Sequence, residues 1–171
     1  MTNKEFFIQT WQNEMRPTLS AINGLPSDLS ALSFSCDAKA RSATALISHM
    51  LGHAETMNNA ADSFIIDERS AVRTFASKEE IAAYFEKNAT ALANKLTAVS
   101  DSTWEWQVVD FRYDGQSLYN YPMTNTFWML LFDIIHHRGQ LSTYYRHMGV
   151  RNPGIYGPTA EDVEAMMTAK N

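Results

Sequence analysis

Apolar positions recur at helical spacing along most of this chain, and one short stretch breaks that rhythm. Phe6, Phe7, Ile8, Trp11 and Met15 follow the helical period up to Pro17. There a helix ends or kinks, since proline lacks the N–H and crowds the preceding turn. The segment GLPSDLSALSFS is rich in turn formers and reads as a linker. A proline-free helical pattern then runs from about Asp37 to Phe64. Periodicity is lost from Ile65 to Ala76, which predicts a connection between distant ends. Ser77 and Glu80 stand at capping-box spacing and open a helix through Ile81, Tyr84, Phe85, Ala89, Leu92 and Leu96.

From Val108 to Pro122 the pattern changes, because Asp114-Gly115 lies between residues of high β propensity. That dipeptide predicts a tight hairpin. Thr124 is the expected cap of the next helix, which should continue to about Met148 and stop at Gly149. After the loop VRNPGIYGP, Thr159 and Asp162 start a short terminal helix. These elements predict an all-α fold: a four-helix bundle with a small β-hairpin and a short C-terminal helix, in one domain over residues 1–171.

Composition narrows the function classes. A formal net charge of -5 with no Lys/Arg-rich run argues against a nucleic-acid surface. No apolar run approaches the roughly 18 residues of a membrane span. The start, MTNKEFFIQTW, lacks a basic segment followed by an apolar one. A single cysteine, Cys36, forbids an internal disulfide and fits a reducing compartment. The expectation is a cytoplasmic protein with no membrane or nucleic-acid partner.

The chemistry concentrates in FDIIHHRGQLSTYYR, Phe132 to Arg146. Burying such polar groups costs free energy unless each finds a partner. At about 100° per residue, Thr126, Leu130, Asp133, His137, Gln140 and Tyr144 form one narrow stripe beside the apolar Phe127, Ile134 and Leu141. His136 points about 100° away from His137. On the earlier long helix His49 and His53 sit four apart, flanked by Leu46, Met57 and Ala60. Two helices therefore each offer a pair of ligand-type residues at i, i+4, a spacing that can converge on one divalent metal. The same spacings also arise by chance: a single core-facing histidine is more often a hydrogen-bonded structural residue than a ligand, and the plain alternative for Asp133 is a cap or a partner of Arg138 or Arg146.

HHRGQLSTYYRHMG followed by P-x-x-YGP closely resembles the last bundle helix of the DinB/YfiT-like metalloenzymes, the DinB superfamily. The resemblance extends over nearly the whole chain, through the central tryptophan of the first helix, the GLP turn and LISHMLGHAE. It implies up-down-down-up connectivity, a homodimer, and a divalent metal (zinc, nickel, iron or manganese) at one end of the bundle. The implied ligands are His49, His137 and a residue four before it, where the family carries histidine and this chain has Asp133. Two histidines and a carboxylate remain a competent ligand set, close to the facial triad of non-haem iron proteins. The alternative is a metal-free relative. His53 is left as a fourth ligand, a partner of bound water, or a core histidine.

Gln140 is expected to orient a ligand, His136 and Arg138 to face a neighbouring helix or dimer partner, and Gly139 to allow close backbone approach. Tyr144, Tyr145 and Tyr156 are expected in the core or a pocket wall, and Cys36 as a small packed residue. Characterised relatives imply a small-molecule substrate, a low-molecular-weight thiol, with transfer or thiol-dependent isomerisation at the metal. A metal-dependent hydrolase and a non-catalytic stress-related binding protein are the other readings. No residue stands out as catalytic in itself, and no basic cluster borders the ligand stripe in sequence.

Overall fold

In the computed structural model, which describes residues 1–69 and 72–169, helix α1 runs through Asn3–Asn23. Thr2 and Glu5 form a capping box at its start. Pro17 neither ends nor interrupts it. Its buried ring packs in a turn where the Thr18 hydroxyl donates to the Glu14 carbonyl and Arg138 reaches the same groups. The linker contains a 3₁₀ turn, Leu29–Ser33. Helix α2, Ala43–Ser63, starts later than its pattern suggested, at a Ser42 cap. The residues just before it are held in turns, with Asp37 Oδ1 accepting from Lys39 N–H and Asp37 O from Ala40 N–H.

Ile65–Glu68 is a strand, β1, where the sequence suggested only a connection. Residues 70 and 71 of that expected connection lie outside the described residues. Helix α3, Lys78–Ala98, has the expected Ser77 cap, while the Glu80 carboxylate reaches back to the N–H of Ala76. A short helix, α4 (Asp101–Trp106), was not expected and is capped by Ser100. Strands β2 (Val108–Tyr113) and β3 (Gln116–Pro122) form the hairpin, with Asp114 and Gly115 at φ +46° and +82°. Two positive φ values are what a type I′ turn demands. β1 pairs parallel to β2 with Ile66 opposite Phe111 and Glu68 opposite Tyr113. The sheet is therefore three-stranded, in the order β1-β2-β3, rather than a lone hairpin.

Helix α5, Met123–Ser142, begins after Pro122 with no side-chain cap. Thr124 is not the cap: its hydroxyl donates to Asn3 Oδ1, which also accepts from Trp104 and Trp128 Nε1. The free N–H of Met123 is satisfied by the Gln107 carbonyl. The helix stops short of Met148 because the hydroxyls of Ser142 and Thr143 take the carbonyls of Gly139 and Gln140. A 3₁₀ turn, Tyr145–Met148, follows and ends at Gly149, whose φ of +77° lies in the left-handed region. Helix α6, Ala160–Thr168, starts at the expected Thr159–Asp162 box.

The structure is thus mostly helical with a small sheet and a short C-terminal helix. α2 packs on α3 and α5, and α1 packs on the same two helices. Between them lies a core in which Phe7, Trp11, Phe85, Trp104 and Phe127 are all buried. Trp11 Nε1 donates to the Ala89 carbonyl, so its one polar atom is satisfied. Among the described residues no helix is long and apolar enough to cross a membrane.

The close approach expected at Gly139 is not there. A Cβ at Gly139 would meet nothing within 4 Å, whereas one at Gly24 would lie 2.7 Å from the Pro153 ring. Gly139→Ala is therefore expected to stabilise the protein by about 0.5–1 kcal/mol, the usual cost of glycine inside a helix. Gly24→Ala should destabilise it by about 1–3 kcal/mol, because the rigid proline ring cannot yield. Urea denaturation midpoints check both signs. A loss at Gly139→Ala would mean that another surface covers that face.

Candidate metal centre

α2 presents His49 and His53 one turn apart, and α5 presents Asp133 and His137 one turn apart. Packing of α2 on α5 brings all four to one place. Asp133 Oδ2 stands at the focus, with the Nε2 atoms of His53, His49 and His137 at 2.7, 3.2 and 3.2 Å. One ligand-type atom each from His49, His53 and Asp133 lies within 4.8 Å of the others. Of the three residues implied by the resemblance, His49 and Asp133 belong to that group and His137 meets it through Asp133 Oδ2, while His53, left open by the sequence, comes closest to the carboxylate. His53 and His137 are buried and His49 and Asp133 half-buried, so the cluster is only partly open to solvent.

Two of the imidazoles are fixed from behind. His53 Nδ1 lies 2.9 Å from Glu68 Oε1, at an angle short of a hydrogen bond. His137 Nδ1 lies 2.7 Å from Gln140 Oε1. The Gln140 amide nitrogen is 3.0 Å from His136 Nε2, so the amide donates outward and its oxygen accepts from His137 Nδ1–H. That tautomer turns the His137 Nε2 lone pair toward Asp133. A lone pair facing a carboxylate oxygen is unfavourable unless a proton or a metal cation lies between them. Outer oxygens that orient imidazole Nδ1 are the usual support of histidine metal ligands. The donor set, imidazole nitrogen and carboxylate oxygen, suits zinc, iron(II), manganese or nickel.

Electrostatics agree. Burial would raise the Asp133 pKa, but the surrounding side chains of His137, His49 and His53 outweigh it and hold the carboxyl well below the usual range. Burial would lower that of His53, yet the hydrogen bond with Asp133 and the negative charge of the adjacent Glu68 leave it raised. Asp133 is therefore an anion, as a ligand must be.

Two cavities flank the cluster. One, of about 410 Å³, is bordered by His49, His53, Glu68 and three arginines: Arg41, Arg69 and Arg73. The other is an open groove of about 840 Å³ along α5, bordered by Phe111, Tyr119, Trp128, Met129, Phe132 and Asp133 among others. Burial, more than the nearby acids, pushes the Tyr119 phenol up to about 12. Its hydroxyl donates to the Met129 sulfur at 3.4 Å.

The remaining polar residues have other roles. His136 is exposed and does not reach Asp133. Arg138 faces α1, as expected, bonding Glu14 and Thr18, and Tyr156 lies exposed over it, in a cavity wall rather than in the core. Tyr145 is buried, with its hydroxyl on the Ala21 carbonyl. Cys36 is exposed rather than packed, its Sγ 3.3 Å from the Tyr144 hydroxyl. Glu68 escaped the sequence reading, because IIDE lacks the apolar–polar alternation that marks a half-buried strand. Arg41 escaped it too, because nothing local ties residue 41 to residue 137.

Comparison with solved structures finds this fold in two bacilli. A DinB-like protein from Bacillus cereus ATCC 10987 has a TM-score of 0.66 at 22% identity, covering 89% of this chain and 97% of its own. A second DinB-like protein, YjoA from Bacillus subtilis, has a TM-score of 0.65 at 14% identity, covering 90% of this chain and 99% of its own. Curated proteins provide no match. The DinB family pattern matches residues 1–170, so this chain belongs to the DinB family.

Proposed function

We propose that this protein is a metal-dependent enzyme of thiol chemistry, built on an up-down-down-up four-helix bundle. His49, Asp133 and His137 hold a divalent ion, with His53 as a fourth donor. The observation that carries the reading is the convergence of three imidazole Nε2 atoms on one carboxylate oxygen, with Glu68 and Gln140 behind two of the rings.

A divalent ion with an open position supplies a low-pKa site for a thiol and keeps it as the thiolate. The chain's own residues supply the rest. Gln140 holds His137 in the tautomer whose Nε2 is a lone-pair donor, and Glu68 holds the His53 ring in the pocket floor. The aromatic groove of Trp128, Phe132 and Tyr119 suits an apolar co-substrate lying beside Asp133. In a transfer reaction a sulfur–carbon bond forms as the carbon–halide bond of an electrophile breaks. Halide leaves, and the thiol proton passes to water.

The test starts with untagged protein purified without added metal. Elemental analysis should find about one divalent ion per chain, and chelation should remove it. The loaded protein should then accelerate conjugation of a small thiol to 1-chloro-2,4-dinitrobenzene over the metal-free form. Ester hydrolysis without thiol turnover would favour a hydrolase. No metal and no turnover would defeat the proposal.

A further inference from the structure

Arg41 stands immediately before the Ser42 cap of α2, and its backbone carbonyl accepts from the hydroxyl of the buried Tyr144. Its position is therefore pinned although its side chain is exposed. The guanidinium Nη1 lies 3.5 Å from His137 Nε2, longer than a well-made hydrogen bond. The other two arginines of this cavity are committed, Arg69 to Asp67 and Arg73 to Glu55. Among the described residues no carboxylate makes an ion pair with Arg41. It borders both the cavity that opens on His49 and His53 and a neighbouring one walled by Tyr144 and Gln140.

On the metal-dependent reading above, the His137 Nε2 lone pair belongs to the ion, so Arg41 loses its only side-chain partner among the described residues. A dication, Arg41, Asp133 and Glu68, with three neutral imidazoles, leave one net positive charge in a half-buried site. Two cations side by side repel unless an anion lies between them. A guanidinium fork matches a carboxylate better than any other small anionic group except phosphate. We infer that Arg41 is the specificity-determining residue of this site. It selects a thiol that carries a carboxylate a short chain away from the sulfur, pairing with that carboxylate while the sulfur occupies the metal's open position.

The test uses cobalt(II)-loaded full-length protein and two thiols of equal length, 3-mercaptopropionate and 3-mercapto-1-propanol. Sulfur-to-cobalt charge-transfer absorption reports binding without any assay of turnover. Wild-type protein should bind the carboxylate about tenfold more tightly, which corresponds to about 1.4 kcal/mol. Arg41→Gln should erase that preference while cobalt stoichiometry and alcohol affinity stay unchanged, and Arg41→Lys should retain part of it. Equal wild-type affinities, or a preference that survives Arg41→Gln, would overturn the assignment. Should cobalt not bind, the metal-dependent reading itself fails, and the metal-free protein then decides on Arg41. Titration with propionate followed by the His137 ring NMR signals should give saturable shifts that vanish in Arg41→Gln. Their absence would overturn the anion site as well.

Discussion

Asp133→Ala is expected to weaken divalent-metal affinity by at least about 100-fold, beyond the roughly 10–100-fold that loss of an outer-shell partner costs. The reason is positional: Asp133 Oδ2 is the atom on which the Nε2 atoms of His49, His53 and His137 converge. Removing it leaves neutral imidazoles as the only donors and takes away the one negative charge at the centre of the cluster. Asp133→His should keep or raise affinity by returning an imidazole to that place. His136→Ala should change metal content little, since this exposed ring lies outside the cluster. Elemental analysis after dialysis against a graded series of chelators distinguishes the three, with circular dichroism as a check on folding. Should His136→Ala strip the metal while Asp133→Ala retains it, the centre would lie on the other face of α5.

Arg138→Ala carries the second large effect, on stability rather than on metal. The Arg138 side chain is 1% exposed and that of Glu14 16%, with the two 2.6 Å apart. Arg138 also donates to the Thr18 hydroxyl at 2.9 Å and packs its guanidinium over the Tyr156 ring. Truncating one partner of such a pair strands the other charge in a poorly hydrated place, at a cost of about 3–5 kcal/mol. For a chain of this size that should lower Tm by roughly 10 °C, measured on metal-free protein so that ligand linkage plays no part. The double variant Arg138→Met with Glu14→Gln should recover most of the loss, since it removes both charges together. A single-variant cost below about 1 kcal/mol would place the pair among weak surface bridges.

Arg138 and Gly139 show how far sequence reading reaches. Helical phase placed Arg138 away from the Asp133–His137 stripe and toward a neighbouring helix, which is where it lies. The glycine one position on seemed to need a close neighbour, yet its exposed face meets none. A glycine's cost in a helix is visible locally, whereas the neighbour that would justify it is not. Thr124 failed as a cap for a related reason. Its hydroxyl is drawn to Asn3, more than a hundred residues earlier, where two tryptophan N–H groups already converge.

What the sequence determined by itself was local: the long helices, the Asp114-Gly115 turn, and the stripe carrying Asp133, His137 and Gln140. These depend on backbone propensity and on neighbours three or four residues apart, which act wherever the chain lies. The tertiary structure decided the rest. It paired β1 with the free edge of β2, set Glu68 behind His53, brought Arg41 against His137 and drew the carboxylate of Asp133 among three imidazoles. Each of these contacts joins groups whose separation in sequence carries no periodic signal. They form only when packing of the apolar faces of α2 and α5 offsets the entropy of closing the intervening chain.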